Sequence, residues 1–147
     1  PVPVPEAPEQ RIVMHPALTT PLATGIALPL IALAYGAPPL APINASAHWL
    51  DRTAGATPRP HPLFTPVGLA TNLAAAAMWG GIMGAALSRT RSPALTAMAV
   101  AASAAVLDYG LIPRRLSPGW ELALPPRAVA AAFAAMAVGM AAGTIEA

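Results

Sequence analysis

The chain has 147 residues, of which 56% are hydrophobic and 10% charged, with a net charge of +2 and no cysteine. Soluble domains carry about 25% charged residues, and a chain this short exposes too much surface to keep so apolar a composition in water, so a single membrane domain is the class that remains. The absence of cysteine excludes disulfides and thiolate metal sites. The eight basic residues are all arginine, standing singly or in pairs with no aromatic interleaving, which excludes a nucleic-acid partner.

In chain order, residues 1–16 read as a flexible arm, because Pro1, Pro3, Pro5 and Pro8 favour an extended polyproline form without internal hydrogen bonds. Residues 17–147 then form the transmembrane domain. No charge occurs from Ile12 to Leu50. The first spanning helix is expected over Ala17 to Tyr35, with Pro21 in its first turn and Pro29 as a kink. Gly36 and the prolines at 38, 39 and 42 break it. Ile43 to Arg52 reads as a short interfacial helix with Asn44 as its N-cap. On such a helix Asn44 and His48 share a face with Asp51, giving a polar packing cluster. Trp49 suits the membrane interface. Residues 53–65, rich in proline, are a loop.

Pro66 to Leu87 is the clearest second span, with Gly80 and Gly84 at the GxxxG spacing that lets helices approach closely in lipid. Ser92 to Pro113 is the third span and holds one acid, Asp108. Arg114 and Arg115 stop it, and Ser117-Pro118-Gly119 is a turn signal. Tyr109 and Trp120 flank this exit as interfacial anchors. Ala128 to Ile145 is just long enough to be the fourth span and carries a second GxxxG at Gly139 and Gly143. The expected fold is all-α: a four-transmembrane-helix bundle with a short interfacial helix between helices 1 and 2. Counting arginines places the first and third loops, with Arg52, Arg59, Arg114, Arg115 and Arg127, on the cytoplasmic side.

Two segments carry a resemblance. Asn44-Ala45-Ser46-Ala47-His48-Trp49 and Asp108-Tyr109-Gly110-Leu111-Ile112-Pro113-Arg114-Arg115-Leu116-Ser117-Pro118-Gly119-Trp120-Glu121 resemble patterns in a family of small bacterial four-helix membrane proteins. The resemblance covers most of the chain from about residue 17. It implies the fold and the bacterial inner membrane, and no reaction. The family pattern also implies a histidine pair early in the second helix; here Gly68 to Leu73 contains none, and with it any metal or haem role of that pair is absent.

Asp108 is the residue with most chemical interest. A carboxylate at a helix centre in lipid costs roughly 2.5–3.5 kcal/mol, so it is paired, hydrated or protonated. Arg115 lies near its helical face and offers a clamp; a proton or cation site is the functional alternative. Asn44, His48 and Asp51 are expected to bond a neighbouring helix or loop. A metal site through His48 and His61 is conceivable in donor type, but the spacing fits no compact motif, and no metal or other cofactor is assigned. No nucleophile elbow, phosphate loop or carboxylate pair is present, so the chain is read as non-catalytic. The leading expectation is an accessory or structural subunit, assembling through its GxxxG faces with other membrane subunits or with itself in the bilayer. The alternative is a small oligomeric ion or solute transporter or channel using Asp108, with Asn72 on the same polar path.

Overall fold

The computed structural model describes residues 14–144. Residues 1–13 of the proline arm and the end of the fourth expected helix, from Ile145, lie outside the described residues. The chain is all-helical. The helices are α1 (Pro16–Ala34), α2 (Ala41–Ala45), α3 (Phe64–Ala86), α4 (Pro93–Val106) and α5 (Pro126–Ala142). Among the described residues three stretches are long and apolar enough to cross a membrane: Pro16–Ala34, Phe64–Arg89 and Pro93–Leu111. The last helix is shorter than expected. Its 17 residues span about 26 Å at 1.5 Å per residue, against a hydrocarbon core of about 30 Å.

Helix α1 is sorted inside out relative to a helix of a water-soluble protein. Along α1 the buried positions include Thr19, Thr20, Thr24, Leu28 and Ala32, while Leu18, Leu22, Ile26, Leu30 and Leu33 point outward. Large aliphatics therefore face the surroundings and small or hydroxylated residues face the neighbours. That is the sorting expected where the solvent is as apolar as leucine and association depends on close packing. On α3 the buried stripe Gly68, Asn72, Ala76 and Gly80 repeats every four residues.

Helix α1 is the spine, packed along both α3 and α5. The four glycines of the two GxxxG pairs make this possible. A Cβ at Gly80 would overlap the Pro16 carbonyl and one at Gly84 the His15 ring, while Gly139 sits on Ala23 and Thr19, and Gly143 on Pro16 and Thr19. Both glycine pairs are therefore used inside the chain, against the same helix. Thr19 adds a hydrogen bond from Oγ1 to the Gly139 carbonyl, 2.6 Å. The contacts run α1 antiparallel to both neighbours. The C-terminal end of α1 thus meets the N-terminal ends of α3 and α5, and α4 also ends there.

Two local structures differ from the sequence reading. The helix after the first span starts earlier, at Ala41, because Pro42 sits at its first turn, where the missing N–H is no loss. Asn44 is consequently inside α2 and not its cap. All five residues of α2 are buried, and Gly68 lets the Ile43 carbonyl lie against α3. The third span does not run as one α-helix to Pro113. It is α-helical to Val106 and widens into a π turn over Leu107–Leu111, closed by the Ile112 N–H on the Leu107 carbonyl at 2.8 Å. Turns of this kind occur mostly as single insertions and frequently at functional sites.

Candidate functional site

The two segments that carry the resemblance are packed on each other at one end of the helices. The His48 ring is buried. Its Nδ1 lies 2.9 Å from the Ala45 carbonyl and its Nε2 2.9 Å from the Arg114 carbonyl. Gly119, at φ 79°, presses on the Ala45 carbonyl and on His48 itself. Arg115 Nε donates to the Trp49 carbonyl at 3.4 Å, so this side chain holds the first loop and does not clamp Asp108. Ser117 Oγ donates to Glu121 at 2.9 Å, closing the turn.

Asn44, fully buried, fixes the other side of the cap. Its amide nitrogen donates to the carbonyls of Thr57 and Arg59, each at 2.8 Å, and its oxygen accepts from Thr65 Oγ1 at 2.7 Å. One side chain thus ties α2, the loop and the first turn of α3 together. Asp51 does not join this cluster. It is exposed and accepts from the backbone N–H and hydroxyl of Thr53 at 2.8 and 2.7 Å; these bonds hold its carboxyl below the usual 3.8. His61 accepts at Nδ1 from Phe64 N–H, 3.1 Å, and stacks on the Phe64 ring, so it caps α3. His15 does the same for α1 through Ala17 N–H, 3.1 Å. Among the described residues no three His, Asp or Glu side chains stand close enough to hold a metal ion.

Beneath the cap lies a cavity of about 370 Å³. It opens between α3 on one side and the π turn, the Ser117–Trp120 turn and α5 on the other, where α3 makes few contacts with α4 and α5. Asp108 enters it from the π turn and Asn72 from the buried stripe of α3. Asp108 is half-buried, and among the described residues no hydrogen-bond donor or positive charge bears on its carboxylate. All three tryptophans of the chain, Trp49, Trp79 and Trp120, line the same space. Trp49 spends its indole N–H on Thr71 Oγ1, 3.2 Å. Trp120 is 3% exposed, packs against Phe133 with ring centroids 5.2 Å apart, and its Nε1 has no partner. A buried donor left unpaired costs about 1–3 kcal/mol; this nitrogen is sealed beneath its neighbours, and the Asp108 carboxylate is the polar group that the cavity leaves without a partner.

The sequence reading named Asp108 and Asn72 together and missed Trp79, which sits mid-helix among alanines with no local polar signal. It placed Trp120 at the membrane interface; the structure buries it. Trp49 and Tyr109 are each 39% exposed. Arg114 and Arg115 are exposed beside the cap.

Comparison with protein-family models, with curated proteins and with solved structures gave no match; the functional reading therefore rests on the geometry of the cap and the cavity.

Proposed function

We propose that the chain is an integral protein of the bacterial inner membrane with four spanning helices, and that it is a small transporter or channel. Its solute enters the cavity under the cap, with Asp108 as the polar centre and Asn72 opposite. The observation that carries this reading is a lone carboxylate, Asp108, in the wall of a cavity otherwise lined by hydroxyl, amide and apolar side chains, three indoles among them. Ionisable groups inside spanning segments are costly and mark ion or solute routes. The accessory-subunit reading drew its motive from the GxxxG pairs, and those glycines are occupied by α1. The outward side chains of α1 are large aliphatics such as Leu22, Ile26 and Leu30, while small residues such as Ala130 and Ala134 stay exposed on α5.

Reconstituted in liposomes, the wild-type protein should pass monovalent cations, organic ammonium ions included, and Asp108→Asn should not. Vesicles as tight as protein-free ones toward every ion tried would sink the proposal. The four-span arrangement has its own test, because the chain lacks cysteine and single reporters have no background. Arg59→Cys and Arg89→Cys should label from opposite faces of membrane vesicles; labelling from one face would remove a span.

A further inference from the structure

We infer that the solute is a hydrophobic organic monocation whose ammonium group pairs with Asp108 and whose apolar body lies against the tryptophans. This rests on the reading that the cavity admits a solute.

The charge comes first. Asp108 is the one acidic residue in the cavity wall, and no arginine faces it: Arg115 is drawn to Trp49. A carboxylate in apolar surroundings is stable when it is paired and hydrogen-bonded, and the protein supplies neither. One positive charge from outside would complete the site, and two would overfill it.

The walls come second. Apart from Asp108, the polar lining is hydroxyl and amide: Thr24, Ser46, Thr71, Asn72 and Ser117. Such groups suit a small metal ion poorly here, since a hard cation needs six or so oxygens converging on one point, and a space this large spreads them apart. The remaining wall is apolar and includes Met78, Met136, Phe133 and the three indoles. Indole faces attract cations held within about 6 Å, and more strongly when water is excluded. Thioethers of methionine adapt to irregular apolar shapes. A volume of about 370 Å³ lies at the lower end of small-molecule sites, so the ligand is fragment-sized.

The test uses three probes of one shape: 2-phenoxyethylammonium, neutral 2-phenoxyethanol and anionic phenoxyacetate. Each is titrated into the full-length protein in lipid nanodiscs while tryptophan emission is followed; all three reporters line the cavity. The ammonium probe should bind about tenfold or more tighter than the alcohol, and phenoxyacetate should not bind. In Asp108→Asn the preference for the ammonium over the alcohol should vanish, while the alcohol still binds, which shows that the cavity has survived the substitution. Equal binding of ammonium and alcohol to the wild type, or a preference retained in Asp108→Asn, would overturn the cation assignment and leave a neutral-solute cavity standing. If none of the three probes alters emission, both the cation and the solute-binding reading fall.

Discussion

The imidazole of His48 and the main-chain carbonyl of Arg114 meet at 2.9 Å, joining the loop after the first helix to the turn after the fourth. A neutral ring has one N–H to donate, and two carbonyls flank it. His48→Ala removes the only side chain that bonds the Arg114 carbonyl across the cap. The Arg114 carbonyl keeps Ser117 Oγ at 2.9 Å, so the loss is that of one hydrogen bond, about 0.5–1.5 kcal/mol. The expected result is a lower unfolding midpoint in detergent, together with faster hydrogen exchange at residues 114–120 than along α1. An unchanged midpoint and unchanged exchange would mean that the cap is held elsewhere.

Gly119 and Gly81 should respond to alanine with opposite signs. Gly119 needs the left-handed backbone at φ 79°, which costs an L-residue about 1–2 kcal/mol, and its missing Cβ makes room for the Ala45 carbonyl. Gly81 is helical and faces open space, where alanine gains about 0.5–1 kcal/mol over glycine. Thermal unfolding of Gly119→Ala and Gly81→Ala, measured in parallel, should show a loss for the first and a small gain for the second.

Neighbouring threonines on α1 also separate. Thr19 donates to the Gly139 carbonyl, a helix–helix bond of the kind worth about 0.6 kcal/mol on average in membranes. Thr20 is fully buried, and its Oγ1 has no partner. Valine has the same shape without the hydroxyl. Thr19→Val should destabilise, and Thr20→Val should be neutral or stabilising, since removing an unsatisfied polar group removes its desolvation cost. The reverse order in denaturant titrations would show that Thr20 has a partner of its own.

Asp51 sets the one pH dependence expected from the cap. Its carboxyl is held below 3.8 by the Thr53 N–H and hydroxyl. A depressed carboxyl stabilises the fold above its unfolded value of about 3.9, and that contribution is lost as pH falls through the lower folded value. The Thr53 amide resonance should therefore titrate with a midpoint under 3.8, and Asp51→Asn should abolish the transition. A midpoint at or above the ordinary value would show that the Asp51–Thr53 bonds do not persist in solution.

Much of this fold is legible in the sequence, for reasons that can be named. Uncharged runs bounded by arginines or prolines locate α1, α3, α4 and α5, because a spanning helix must be continuous and apolar. The π turn is not legible, since Leu107 to Leu111 carries no proline and its extra residue depends on what the turn packs against. The target of each GxxxG pair is also hidden: Gly80 and Gly139 look alike in sequence, and only packing shows that both receive α1. Trp120 reads as an interfacial anchor because tryptophan prefers that depth; its burial follows from Gly119, whose backbone turns it in toward Phe133. Asp108 and Asn72 are visible as the polar residues of their helices, but the space between them is a property of four segments at once.

The spine is made before α3, α4 and α5, and one of its two faces waits for α5. Thr19 and Ala23 have their partner in Gly139, more than a hundred residues later. Synthesis proceeds from the N-terminus at about 5–20 residues per second, so α1 spends seconds with its threonine face open. During that interval the nascent chain presents the Thr19 hydroxyl to lipid or to whatever escorts it. A chain stopped before α5 would hold it exposed for good, and quality control should meet it as unfinished.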